Sequence, residues 1–223
     1  MTRAVFFDVD GVLVHGYHAR PELQQRWDEN LLEELGVDPQ RFRDEFIYDV
    51  FVKKVVIGQM ALVDALERVL PGLGYRGSPM RFVHYWLTHD SSINTGVVDV
   101  VRRLRRSPDV RLYIATNQDH MRALWLWQAL GFSELFEDIF YSARIGVMKP
   151  QPDYFRFIMD RIGPQVETPL LFDDTPRVVE GARSFGWEAV LVEGGDECAA
   201  HPWIAARLGD EQLISTAPQS CPI

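Results

Sequence analysis

Cysteine is nearly absent from the 223-residue chain: two residues, Cys198 and Cys221, both late in the sequence. Two are too few for a disulfide framework, and they offer no zinc-ligand spacing. Basic side chains are outnumbered, 23 Lys+Arg against 32 Asp+Glu, for a formal net charge of −9. Such a surface repels phosphate backbones and anionic headgroups, so neither nucleic acid nor a membrane is an expected partner. Apolar runs of bilayer length are missing, and the opening MTRAVFFDVDG lacks the pattern of a leader peptide. A cytoplasmic location is the expectation. Internal repeats and low-complexity stretches are missing as well. What remains is an ordinary folding composition, 47% hydrophobic, 25% charged and 12% aromatic, which excludes a largely disordered chain. The length suits one core carrying an insertion.

Short apolar runs rich in Val, Ile and Phe read as buried strands at Ala4–Phe7, Val110–Ala115, Ile139–Tyr141, Leu170–Phe172 and Ala189–Val192. Helical patterns separate them at Val97–Arg106, Met121–Leu130, Tyr154–Ile162 and Val178–Phe185. Strands alternating with helices of this size predict an α/β fold whose parallel sheet is covered on both faces. Residues 15–90 break the alternation. They carry helical patterns at Pro21–Leu35, Pro39–Val56, Met60–Leu70 and Pro79–Thr88 and no convincing strand, which predicts an inserted helical cap. The expected division is a core of 1–14 and 91–195, a cap of 15–90 and a tail of 196–223, with Trp203, Ile204 and Leu208 docking on the body.

Polar residues stand where the strands stop: Asp8 and Asp10 after the first, Thr116 and Asn117 after the second, Asp173 and Asp174 after a later one. The carboxyl ends of parallel strands share one rim, and ligands bind there. Carboxylates gathered on that rim repel one another unless a cation sits among them. Oxygen-only ligands select a hard cation such as Mg²⁺, which suggests phosphoryl chemistry. Lys149, expected at the start of a helix, supplies positive charge for phosphate oxygens, and Thr116 and Asn117 can donate to the same group. Of Asp8 and Asp10, one can be nucleophile and the other general acid. To serve as acid near neutrality, Asp10 must titrate roughly three units above its reference of about 3.9. Its carboxylate is therefore expected to face the leaving group and to stay off the cation.

Asp8-Val-Asp10-Gly11-Val-Leu, Thr116-Asn117, Lys149-Pro150 and Phe172-Asp173-Asp174 resemble, in order, the four motifs of the haloacid dehalogenase superfamily. The stretches from Gly131 and from Gly146 to Phe155 are similar to its helical-capped subgroup. The resemblance implies a Rossmann-like core and Mg²⁺-dependent hydrolysis of a small phosphate monoester. It casts Asp8 as the nucleophile that becomes an aspartyl phosphate, and Asp10 as the acid that protonates the leaving oxygen and then activates water. It implies metal ligation by the Asp8 side chain, the Asp10 backbone carbonyl and Asp174, with Asp173 as second or outer ligand, and phosphate binding by Thr116, Asn117 and Lys149. Related sequences often carry Asn where this chain has Val178. Thr175 and Pro176 still read as cap and first residue of a helix.

Displacing a halide needs no proton whereas displacing an alkoxide does, so Asp10 favours a phosphate ester over a haloacid. A phosphoglucomutase-like transferase, a 2-haloacid dehalogenase and a non-catalytic binding protein on the same scaffold are the alternatives. His15 and Tyr17 are candidates for the pocket wall, with Tyr48, Lys53 and Lys54 from the cap, and the expected partner is a small phosphorylated metabolite.

Other features have plainer readings. Gly72-Leu-Gly74-Tyr-Arg-Gly77 spells a dinucleotide fingerprint, but it follows a helical pattern instead of a strand and reads as a turn between cap helices. Arg102, Arg103, Arg105 and Arg106 read as a solvated helix face. His18 stands with His15 just after the first motif, while His84, His89, His120 and His201 form no ligand pattern. Met121–Leu130 is apolar nearly all round, so one side should meet the sheet and the other the cap or a second copy of the chain, a homodimer.

Overall fold

In the computed structural model, which describes residues 2–209, the first apolar run forms β1 (Arg3–Phe7), followed by the short β2 (Val14–His15). The inserted segment contains α1 (Leu31–Leu35), α2 (Pro39–Phe42), α3 (Leu62–Val69) and α4 (Pro79–His89). Helix α2 continues without a break as a wider π-helix over Arg43–Val55. The chain returns through β3 (Ser92–Ile93), α5 (Thr95–Leu104), β4 (Val110–Thr116) and α6 (His120–Leu124). Then come β5 (Asp138–Tyr141), α7 (Ser142–Ile145), α8 (Pro152–Ile162), β6 (Leu170–Asp173) and α9 (Pro176–Phe185). The last described elements are β7 (Glu188–Leu191), α10 (Asp196–Ala200) and α11 (Pro202–Gly209).

Five strands form one parallel sheet in the order β5-β4-β1-β6-β7. After β1 the chain builds outward on one side and then crosses to the other, so β1 lies at the topological switch point. Alternate residues of β1 serve opposite faces. Val5 and Phe7 join Ile114, Phe172 and the inner residues of α5, α10 and α11. Ala4 and Phe6 join Tyr113, Leu171 and the inner residues of α8 and α9. Phe6 is stacked between Trp187 and Tyr113, with ring centroids 4.6 and 5.1 Å away. Burial of such a side chain contributes about 1.5–3 kcal/mol.

The cap has its own aromatic core, built on Phe42, Phe46, Phe82 and Trp86. The chain enters and leaves it through β2 and β3, which pair antiparallel, so both cap connections lie side by side. The expected helix over 21–35 is broken: Pro21–Leu23 makes one 3₁₀ turn, and regular helix resumes only at α1. Tertiary ties win over local propensity there. Trp27 stacks on Trp86 at 4.9 Å, Arg26 and Arg43 both reach Asp28, and the Gln25 N–H bonds to the Gly16 carbonyl. The glycine triplet at 72–77 lies in the turn between α3 and α4.

Helix α6 continues as a π-helix over Trp125–Ala129. Its two sides have separate destinations: Met121 and Trp125 pack on the cap core, Leu126 and Trp127 on the sheet. The tail begins as a docked structure, with Ile204 and Leu208 buried against α5 and Arg207 paired with Asp109. Cys198 is buried; Cys221 lies outside the described residues.

Candidate active site

Asp8 is the first residue past β1, and its N–H is held by the Phe172 carbonyl of β6 at 2.9 Å. One carboxylate oxygen accepts the N–H of Val9 at 2.7 Å, which turns the side chain along the rim. The chain then bends through Gly11 at φ 75°, where a Cβ would stand 2.6 Å from Asp174 Oδ2. Glycine is required twice over, for the left-handed backbone and for the close approach.

Asp8, Asp173 and Asp174 each offer a carboxylate oxygen, and these oxygens lie within 4.8 Å of one another. Lys149 is buried against two of them. Its ammonium stands 2.6 Å from Asp173 Oδ2 and 3.0 Å from Asp8 Oδ1, and it donates to the Ala115 carbonyl at 2.7 Å. Burial opposes its charge, but Asp173 and Asp8 outweigh that penalty and raise its pKa. Burial raises Asp173 to about 8, with Lys149 pulling down and Asp8 pushing up. Asp174 is raised by burial and by Asp8, against the Ala19 N–H that it accepts at 2.6 Å. One ammonium does not neutralise three carboxylates, and an oxygen-only donor set of this kind suits a hard divalent cation. Both oxygens of Asp173 are engaged, one by Lys149 and the second by the Thr175 N–H at 2.9 Å.

Asp10 stands apart from that cluster. Its Oδ1 accepts from Arg122 Nη2 at 2.7 Å and its Oδ2 accepts from Gln118. Burial raises its pKa and the charge of Asp8 adds to that, while Arg122 and Gln118 pull the other way. Arg122, buried on α6, also donates through Nη1 to Asp90, which caps the end of α4. The sequence reading had no role for Gln118, Arg122 or Asp90.

Thr116 ends β4 at the same rim and is buried. The carboxamide of Asn117 is engaged by the peptide of Lys149, donating to the Lys149 carbonyl at 3.2 Å and accepting the Lys149 N–H at 2.8 Å. That pairing fixes the lysine. Lys149 itself lies in the loop before α8, not at a helix start, because α8 begins only at Pro152. Thr175 precedes Pro176 as expected, yet its hydroxyl donates to Asp174 at 3.0 Å and does not cap the helix. Val178 is buried in the core behind the sheet.

A cavity of about 590 Å³ lies between cap and core. Asp10, Asn117, Gln118 and Met148 form its core side, and Tyr17, Trp27, Arg43, Tyr48 and Phe51 line the cap side. Tyr17 and Tyr48 are thus where the sequence suggested. His15 is not on this wall, because its backbone pairs with Ser92 in the ribbon below the cap. Lys53 and Lys54 are exposed elsewhere on the cap, Lys53 paired with Asp49 one helical turn away. His18 is buried, accepts the Arg20 N–H at 2.9 Å and stands 3.5 Å from Asp174.

A curated relative, the phosphoglycolate phosphatase of Rhodospirillum rubrum, is 25% identical over 87% of this chain and 81% of its own length. Among solved structures, a HAD family enzyme of Bacteroides thetaiotaomicron in complex with magnesium and inorganic phosphate superposes with a TM-score of 0.71. It is 18% identical, with 87% of this chain and 96% of the other covered. A HAD-like family hydrolase from Porphyromonas gingivalis gives 0.68 at 20% identity, covering 98% and 100%. The family model of haloacid dehalogenase-like hydrolases matches residues 2–186, which contain the whole rim from Asp8 to Asp174. The chain belongs to the haloacid dehalogenase-like hydrolase family.

Proposed function

We propose that the protein hydrolyses a small phosphate monoester in two steps through Asp8. The observation that carries this reading is the Asp8–Asp173–Asp174 cluster with Lys149 buried against it, beside a cavity of small-molecule size. The phosphatase relative and the neighbour holding magnesium and phosphate support it.

Asp8 and Asp174 would hold Mg²⁺ with the Asp10 backbone carbonyl, and Asp173 would be the outer ligand. When bound, the ion supplies charge neutralisation for the carboxylates and the phosphoryl oxygens. A carboxylate oxygen of Asp8 attacks phosphorus, the bond to the ester oxygen breaks, and Asp10 gives its proton to that oxygen. A water molecule then passes a proton to Asp10 and attacks the same phosphorus. The acyl phosphate bond breaks, Asp8 is restored, and inorganic phosphate leaves. Lys149 and Thr116 bind phosphoryl oxygens through both steps, while Asn117 keeps Lys149 in place.

The cavity wall defines the leaving group. Tyr17, Trp27, Tyr48 and Phe51 offer flat apolar faces, and Arg26 and Arg43 share a single carboxylate, Asp28. A phosphorylated metabolite of sugar or nucleotide size fits such a wall. The test is phosphate release from a panel of phosphorylated metabolites with added Mg²⁺. The expected result is turnover that a chelator stops and that Asp8→Asn abolishes. Turnover unaffected by Asp8→Asn would remove the proposal.

A further inference from the structure

Arg122 lies outside the four motif segments, yet it is the only side chain that joins the rim to the cap by charge on both sides among the described ion pairs of Asp10. It rises from α6, where Asp119 accepts the N–H groups of Met121 and Arg122 and so starts the helix at this point. The guanidinium is buried and forks: Nη2 meets Asp10 Oδ1 at 2.7 Å, and Nη1 meets Asp90 Oδ2. Asp90 is itself held. It closes α4, its Oδ2 also accepts from the Trp86 indole at 3.3 Å, and Trp86 belongs to the aromatic core of the cap. The path from the cap core to the Asp10 carboxylate is therefore Trp86, Asp90, Arg122, Asp10.

We propose that Arg122 is a positioning residue that, anchored by Asp90 on the cap stem, aims the Asp10 carboxyl at the leaving-group oxygen. This rests on the role given to Asp10 in the phosphatase reading. The chemistry favours arginine. A planar guanidinium holds its two Nη groups at a fixed separation and direction, one on each carboxylate, whereas an ammonium is a point charge that turns freely on its stem. Gln118 bonds to the other oxygen of Asp10 from the same end of β4. Together the two donors leave the carboxyl one orientation, facing the cavity that Asp10 lines. The ion pair also ties the position of Asp10 to the seating of the cap, since Asp90 closes α4 and is bonded to Trp86.

A purely structural role and a positioning role separate by the demand of the leaving group for a proton. General acid catalysis is worth about 10²–10⁴-fold where the leaving group is a poor one, and an aryl phosphate with an acidic phenol needs almost none of it. The value of kcat/KM reports the steps up to loss of the leaving group, so later hydrolysis of the phosphoenzyme does not enter. Arg122→Lys keeps the charge and removes the fork; Asp90→Asn keeps the shape and weakens the anchor. The measurement is kcat/KM for an alkyl phosphate and for 4-nitrophenyl phosphate, with Mg²⁺, in the full chain and both variants. Arg122→Lys is expected to lose about 10²-fold on the alkyl ester and only a few-fold on the aryl ester. Asp90→Asn is expected to show the same selectivity at smaller size, and it carries the test alone if Arg122→Lys does not fold. Equal losses on both esters, or no loss on either, overturn the proposal. Asp10→Asn run beside them distinguishes the two levels: if it shows no ester selectivity, the role of Asp10 fails; if it does and the Arg122 and Asp90 variants do not, only the positioning role fails.

Discussion

The ammonium of Lys149 stands 3.0 Å from the carboxylate of Asp8, with Asp173 closing on its other side at 2.6 Å. In that position the lysine does two jobs. It orients Asp8 and it neutralises part of a buried acidic cluster. Lys149→Gln leaves two buried carboxylates without their cation, a loss of about 3–5 kcal/mol for a broken buried pair. The expected outcome is a lower thermal midpoint together with a fall in kcat/KM of about 10²-fold or more, the size seen when a donor to a developing charge is removed. Thermal unfolding and steady-state kinetics on the same preparation check both.

Gly11 ties the first motif to the last. A methyl group there would meet Asp174 at 2.6 Å while the backbone needs φ 75°. Gly11→Ala should displace Asp174 from Asp8 and lower kcat/KM by about 10²-fold, the scale of a small misplacement at a reacting centre. Kinetics at saturating Mg²⁺ read the effect, and activity equal to that of the parent chain would show that the close approach is not needed.

Asp90 makes stability depend on pH. Burial pushes it from an ordinary 3.8 up to about 7, against the pull of Arg122 and with the push of Asp10. Between those values the unfolded chain gives up the proton while the folded chain keeps it. Its contribution is therefore full at low pH and lost as pH rises through about 7. Asp90→Asn removes this dependence. The difference in thermal midpoint between variant and parent should move in favour of the variant on going from about pH 5 to about pH 8; a difference independent of pH would contradict the assignment.

Val178 stands where related sequences often have asparagine, and its side chain is buried among apolar neighbours behind the sheet. Val178→Asn places an amide where a hydrocarbon packs, at a penalty of about 1–3 kcal/mol for unsatisfied polar atoms. The expected outcome is a less stable protein with no gain in turnover, measured by denaturant unfolding and kinetics.

Much of the rim was legible because strand ends are legible. The apolar runs before Asp8, Thr116 and Asp173 stop abruptly, and a parallel sheet brings such stops to one edge. The helical insertion was legible from its lack of alternation. What was not legible depends on reach across packed elements. Asn117 reads as a donor to phosphate, and only the fold of the loop before α8 shows that its amide is engaged by the peptide of Lys149. The break in the helix over 21–35 follows from Trp27 stacking on Trp86, a contact between residues far apart in sequence. Arg122 did leave a signal. It is the one charged residue in MRALWLWQAL, which is apolar but for Arg122 and Gln128, and a buried charge needs a partner. The identity of its partners, Asp10 and Asp90, required the cap to be seated on the core.

The most direct measurement is of the intermediate itself. The protein is mixed with Mg²⁺ and a substrate found in the metabolite panel, quenched in acid during turnover, digested and analysed by mass spectrometry. The expected result is one phosphoryl group on the peptide that contains Asp8, enriched in Asp10→Asn and absent from Asp8→Asn. Turnover with no phosphorylated Asp8 in either the parent chain or Asp10→Asn, or a phosphoryl group found on another residue, would contradict the assignment of Asp8 as the nucleophile.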